Sequence, residues 1–203
     1  GRYSFGNQPR IAQWNLARFA ETLIPLINED EKESIAIAEK SINNFKAVYE
    51  KKWLEMMKSK LGIFEEEGKD LSLIQNLLSW MKSHKVDYTN TFCYLMKQKI
   101  GNSEIYEDSD FVNWKVEWQD RLKRSQRSEV EITNMMRSVN PIVIPRNHKI
   151  EEILHDAETK DDYSGLKKLL KFIKYPYLFQ EGVRIFQEPS GVLYKEYKTF
   201  CGT

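Results

Sequence analysis

Residues 31–61 read EKESIAIAEKSINNFKAVYEKKWLEMMKSKL, and this stretch decides the fold class. Ile35, Ala38, Ile42, Phe45, Tyr49, Trp53 and Met56 recur at steps of three and four, the period of one face of a helix. Glu33, Lys40, Asn44, Lys51 and Glu55 fall between them and read as a solvated face. About 30 residues rising ~1.5 Å each make a helix roughly 45 Å long. A helix of that length is expected to be a central element with others laid against it. Gly62 follows where helices commonly stop.

The same period recurs on both sides. Before the long helix, Gly6-Asn7-Gln8-Pro9 is a helix start, with Asn7 as cap and a proline where no hydrogen bond is wasted. Ala12, Leu16, Phe19, Leu23 and Leu26 then share one face, and Pro25 is expected to end or kink that helix. After it, Glu65 to Lys69 is a charged loop, and Asp70 or Ser72 opens a helix with Leu73, Leu77, Trp80 and Met81. Asp87-Tyr88-Thr89 offers new caps, with Phe92, Leu95, Met96 and Ile100 carrying the next helix on to Gly101. Phe111, Trp114, Trp118 and Leu122 follow at helical spacing, and the basic run Arg121 to Arg127 reads as a turn. Ser128 with Glu131 forms a capping box ahead of Ile132, Met135, Met136 and Val139. Asn140-Pro141 stops that helix, and Ile142 to Pro145 is an extended link. Two more helices hold Ile150, Ile153, Leu154 and Ala157, then Leu166, Leu169, Leu170 and Ile173. In the tail, Val192, Tyr194 and Tyr197 alternate as at most a short strand. The expected fold is all-α, an array of about seven helices with a long central one.

Composition agrees and narrows the function. The 203 residues are 41% hydrophobic and 30% charged, a globular balance. A net charge of +1 gives no field that would make nucleic acid the expected partner. No apolar run is long enough to span a bilayer, no signal peptide opens the chain, and a membrane partner is not expected. Nine glycines and six prolines are few for an all-β fold. The two cysteines, Cys93 and Cys201, are too few for a disulfide scaffold and favour a reducing compartment.

The side chains that could carry chemistry are sparse. The sequence has no glycine-rich phosphate loop, no G-x-S-x-G elbow and no C-x-x-C pair. His148 and His155 could share a helix face, but two imidazoles without a carboxylate at the right step make a weak zinc site. No metal site is expected. Lys167, Lys168, Lys171 and Lys174 could attract an anion, and equally form a solvated face. Trp14, Trp53, Trp80, Trp114 and Trp118 fall at or beside periodic apolar positions and are expected in the core. Cys93 lies inside a periodic helix as a buried, inert thiol, whereas Cys201, third from the end, is either an incidental tail thiol or a reactive one. Arg2-Tyr3-Ser4-Phe5-Gly6-Asn7-Gln8-Pro9 gathers a cation, two aromatics and two amides at a helix start, fit for a phosphate or a peptide, or for a plain capped loop.

That last stretch opens a wider resemblance. Residues 1–21, GRYSFGNQPRIAQWNLARFAE, resemble a segment of the selenoprotein O family of protein adenylyltransferases. Leu61-Gly62-Ile63, Asp87 to Phe92 (DYTNTF), the Phe111 to Leu122 block around Trp114, Met136 to Pro141 (MRSVNP) and Pro145 to His148 (PRNH) follow in the family's order. Cys201-Gly202-Thr203 resembles the family's terminus, where a cysteine or selenocysteine stands third from last, although many members end on two serines.

The resemblance implies a protein-kinase-like fold that moves AMP from ATP onto protein hydroxyl groups with a divalent metal. It also implies that the family's ATP-, metal- and proton-handling residues precede the RY-x-x-x-NQP block. On that reading no catalytic residue falls in this chain, which resembles a C-terminal helical lobe and is expected to be inactive alone. ATP and Mg²⁺ would belong to the parent protein, and its upstream kinase-like region and protein substrates would be the partners. Residues 1–10 would end an activation-segment-like loop, 11–176 form the helical domain, and 177–203 a tail carrying a redox-type Cys201. Arg2, Tyr3, Asn7 and Gln8 would lie near the parent's active site. A cytoplasmic location is expected, or a mitochondrial one for a eukaryotic source. An autonomous helical protein-binding module, or a thiol redox module acting through Cys201, are the competing readings.

Overall fold

The computed structural model describes residues 4–101 and 103–191. Among them are eight α-helices and no strand: α1 (Gln8–Ile27), α2 (Glu31–Lys60), α3 (Asp70–Ser83), α4 (Tyr88–Leu95), α5 (Ser109–Arg124), α6 (Glu129–Val139), α7 (Asn147–Lys160) and α8 (Ser164–Ile173). The all-α expectation holds, and the 30-residue α2 is the longest element. The alternating Val192, Tyr194 and Tyr197 lie outside the described residues. The chain divides into two compact units, Gly1–Met56 and Met57–Thr203.

In the first unit α1 runs through Pro25 to Ile27 instead of stopping at the proline. Pro25 falls in the last turn, where one lost amide donor weakens only the helix end. Asn28 and Ser34 lock the connection: the Asn28 amide donates to Ser34 Oγ at 3.0 Å, and Ser34 Oγ donates back to the Asn28 carbonyl at 3.2 Å. Asp30 Oδ1 accepts from the Lys32 amide at 2.8 Å, capping α2. Among the described residues of this unit only Ser34 is buried. Trp14, expected in the core, is 50% exposed. Of the α2 stripe, Ala38, Ile42, Phe45 and Trp53 are half-buried while Ile35, Tyr49 and Met56 are exposed.

The second unit begins where α2 becomes buried, at Met57. The long helix ends in a closure around Gly62, whose φ is +73°. The Ile63 amide donates to the Lys58 carbonyl at 2.9 Å and the Gly62 amide to the Ser59 carbonyl at 3.1 Å, the paired bonds that satisfy a helix C-terminus. α3 and α5 build the core. Phe111 lies 4.6 Å from Trp80 and 5.6 Å from Trp114, centroid to centroid, and Trp114 stacks on Trp118 at 5.9 Å. Each buried indole has an acceptor: Trp80 Nε1 donates to Asp108 Oδ1, Trp114 to the Leu73 carbonyl and Trp118 to the Leu61 carbonyl, at 2.7–2.8 Å. Ser128 and Glu131 form the expected capping box.

Two helix ends differ from the expectation. α4 stops at Leu95, because Lys97 takes a left-handed φ of 59° and the Gln98 amide turns back to the Cys93 carbonyl at 2.9 Å. The basic run is no turn at its start: Arg121 and Arg124 belong to α5, held there by Asp70 at the start of α3 and Glu67 in the loop before it.

Candidate functional site

The polar interior of the second unit gathers three of the sequence blocks quoted above. Asp87 caps α4, its Oδ1 accepting from the Asn90 amide at 2.8 Å. Arg146, in extended conformation just ahead of α7, grips the same carboxylate with both arms: Nη1 donates to Oδ2 at 2.7 Å and Nη2 to Oδ1 at 2.9 Å. The Arg146 side chain is only 9% exposed, so this two-pronged bond is shielded from water. Asn90 Nδ2 donates to the Gln187 carbonyl at 3.0 Å, and Gln187 Nε2 to the Ile142 carbonyl at 2.8 Å. Asn140 completes the junction, its Nδ2 donating to the carbonyls of Lys60 and Met136, each at 2.9 Å. Asp87 and Asn90 from DYTNTF, Asn140 from MRSVNP and Arg146 from PRNH thus tie four separate segments together. Asn140 Oδ1, Arg146 Nε and Gln187 Oε1 are buried without a hydrogen-bond partner.

Two titratable side chains sit beside this junction. Cys93 Sγ lies 3.7 Å from the Pro141 carbonyl, and burial, aided by the Asp87 charge, pushes its thiol up to about 12. A thiol so held stays protonated and is a poor nucleophile, as expected of it. Lys60 is 6% exposed, with its Nζ over the rings of Phe92 at 4.5 Å and Tyr88 at 5.4 Å. Burial lowers its ammonium to about 8.

A second polar cluster joins α5 to the start of α3 and the loop before it. Arg121 Nε donates to Asp70 Oδ1 at 2.7 Å, both side chains almost fully buried, and Arg121 Nη2 donates to the Glu65 carbonyl at 2.7 Å. Arg124 holds Glu67, and Arg127 holds Glu65. An open groove of about 580 Å³ runs along this cluster, lined by Glu67, Asp70, Asn76, Asp120, Arg121 and Arg124. Its two arginines are committed to carboxylates, and Lys69 also lines it.

The residues singled out from sequence fare unevenly. Asn7 stands at the N-cap of α1 but its side chain makes no capping bond. Its backbone is helical rather than extended (φ −94°, ψ −7°), because a 3₁₀ turn over Phe5–Asn7 precedes the helix, with the Asn7 amide bonded to the Ser4 carbonyl at 2.9 Å. Gln8 Nε2 donates to the same carbonyl at 3.4 Å, and both side chains face solvent. Arg2, Tyr3 and Cys201 lie outside the described residues. His148 is half-buried and His155 exposed, and burial lowers the His148 imidazole. Among the described residues no group of three or more His, Cys, Asp or Glu could hold a metal ion, and no helix is long and apolar enough to cross a membrane. The Asp70–Arg121 and Asp87–Arg146 pairs went unread in the sequence, their partners being 51 and 59 positions apart.

Comparison with known proteins adds what the geometry alone lacks. The family model described as protein adenylyltransferase SelO matches residues 1–174. The protein nucleotidyltransferase YdiU of Pelagibacter ubique is 47% identical over all 203 residues, and that of Bacillus cereus 45% identical over the same length. The chain spans 42% of the length of these relatives.

Proposed function

Since the chain belongs to the SelO family of protein adenylyltransferases, we propose that it is the C-terminal helical part of an enzyme that transfers AMP from ATP to protein hydroxyl groups. The observation that carries this reading is the family match over residues 1–174 combined with a span of 42% of the relatives' length. In such a transfer the substrate oxygen attacks the α-phosphorus, pyrophosphate leaves, and the hydroxyl proton passes to a base. That chemistry needs a phosphate cradle, a cation on the phosphates and carboxylates around Mg²⁺. The described residues do not fit such a site. They form no metal-holding cluster, and the arginines of the groove are paired. ATP and Mg²⁺ belong to the region of the parent outside this chain, which is its first partner, with protein substrates as the second. The bacterial relatives support a cytoplasmic location.

Arg2, Tyr3, Asn7 and Gln8 are proposed to stand beside the parent's active site, and the Asp87–Arg146 junction to be scaffold. Residues 1–10 then end an activation-segment-like loop, 11–176 are the helical domain, and 177–203 the tail. Within this chain thiol chemistry is proposed to fall to Cys201, because the buried Cys93 is held protonated.

The test is incubation with labelled ATP and Mg²⁺. The full-length parent should label protein hydroxyls while the 203-residue chain does not. Robust labelling by the chain alone, or a parent coding sequence without an ATP site, would overturn the reading.

A further inference from the structure

The chain carries 31 basic and 30 acidic side chains, yet residues 163–180 hold four lysines and no Asp or Glu. Lys167, Lys171 and Lys174 fall within roughly 60° of the circumference of α8 and along about 10 Å of its length. All three are exposed, and among the described residues none of them forms an ion pair. Lys171 Nζ and Lys174 Nζ stand 5.9 and 5.7 Å from the ring centroids of the neighbouring Phe172 and Tyr175. Lys168 lies on another side of the helix and interacts with Asp162. The face opposite the stripe is spent on the core through Leu169 and Phe172, each 5% exposed.

The stripe runs into a turn whose large side chains point outward. Tyr175 is 53% exposed, Leu178 60% and Phe179 54%. This turn is fixed: the Leu178 amide donates to the Tyr175 carbonyl at 3.1 Å, and the Pro176 carbonyl accepts from the Ile142 amide at 2.7 Å, which ties it to the link before α7. A pre-shaped turn loses little conformational freedom when a partner settles on it. Three unpaired ammonium groups in a row are matched by anionic groups, and the turn beside them by apolar side chains. An acidic polypeptide segment brings both. A nucleic acid brings phosphates without aliphatic side chains, and a net charge of +1 gives it no attracting field. A bilayer would take up the apolar side of α8, which the core already holds.

We propose that the Lys167–Lys171–Lys174 stripe and the Tyr175–Phe179 turn form a docking surface for an acidic segment of the protein substrate. This rests on the adenylyltransferase reading given above and names the class of protein it would hold, one that carries Asp or Glu beside Leu, Phe or Tyr. The surface touches no reacting atom. It acts on capture of the protein, which belongs to KM and to the rate of encounter.

The experiment is fluorescence anisotropy of the full-length enzyme with a labelled peptide in which glutamates alternate with leucine and tyrosine. The same peptide with glutamine in place of glutamate is the control. The glutamate peptide should bind severalfold more tightly, and the difference should fade at high salt. Combined Lys167→Gln, Lys171→Gln and Lys174→Gln should abolish that difference, with circular dichroism to establish that the variant is folded. Phe179→Ser should weaken both peptides. In AMP transfer onto a protein extended by the glutamate peptide, the triple variant should raise KM severalfold and leave kcat unchanged. Equal binding of the two peptides, or an unaffected triple variant, overturns the proposal. Binding by the isolated 203-residue chain but not by the full-length enzyme would mean the parent covers the stripe itself, and overturns it too. Tighter binding of a single-stranded oligonucleotide, or of vesicles of phosphatidylglycerol and phosphatidylcholine, would assign the surface to a nucleic acid or a membrane and likewise overturn it. Charge-dependent peptide binding by an enzyme that transfers no AMP would refute the function while leaving the surface in place.

Discussion

Arg121 is 2% exposed, and its Nε and Nη2 meet Asp70 Oδ1 and the Glu65 carbonyl, each at 2.7 Å. A buried pair of this kind adds modest net stability while intact, but removing one partner strands a charge away from water. Asp70→Ala should therefore destabilise the chain by about 3–5 kcal/mol, read from urea unfolding midpoints, with the double replacement by apolar residues costing less. A loss no larger than that of an exposed pair such as Lys52–Glu55 would contradict the account. Lys60 makes a prediction about pH. Its folded ammonium, lowered to about 8 from 10.5, releases its proton above pH 8 while the unfolded chain keeps it. The unfolded state then binds more protons, so this residue makes stability rise with pH. Cys93, held at about 12, acts oppositely once the unfolded thiol ionises near pH 9. The difference between the wild type and Lys60→Met isolates the lysine. The wild type should gain on the variant from about pH 8 to pH 10, and a difference independent of pH would refute the assignment.

Gly62 is the clearest case at the scale of an element. A Cβ there would lie 2.6 Å from Ile132 Cγ2, on a backbone already at φ +73°. Gly62→Ala combines left-handed strain with a clash against α6, and should cost about 2 kcal/mol or more. Ser128→Ala removes only a capping box and should cost about 1 kcal/mol. Equal effects of the two in thermal unfolding would mean α6 shifts freely away. Both features were legible in the sequence, because a stop glycine and a Ser-x-x-Glu pair act within one turn of the chain. The ends of α4 and α5 were not. Lys97 adopts a conformation ordinarily left to glycine or asparagine, and Arg121 stays helical through a carboxylate 51 positions away. The candidate junction was half legible. Asp87 announced itself as a cap, while Arg146 sits in an irregular link where periodicity has nothing to say.

At the scale of the molecule the two units differ in what they bury. Met57–Thr203 encloses Phe92, Phe111, Ile74 and Leu77 almost completely, whereas Gly1–Met56 buries, among its described residues, only Ser34. Amide exchange should accordingly be fast along α1 and the first two-thirds of α2 in the isolated chain, and slow in α3 and α5. Uniform protection across both would show that something covers the first unit. The five tryptophans give these units separate optical signatures. Trp114 and Trp118 lie 5.9 Å apart with their rings only 5° from parallel, close enough for the two indole transitions to couple into a dichroic band that depends on this packing. Trp14, half in water, fluoresces instead at the long-wavelength edge of the emission. One denaturant titration followed in both channels then reads each unit in its own colour, and a ligand that covers α1 shifts the emission while leaving the dichroic band in place.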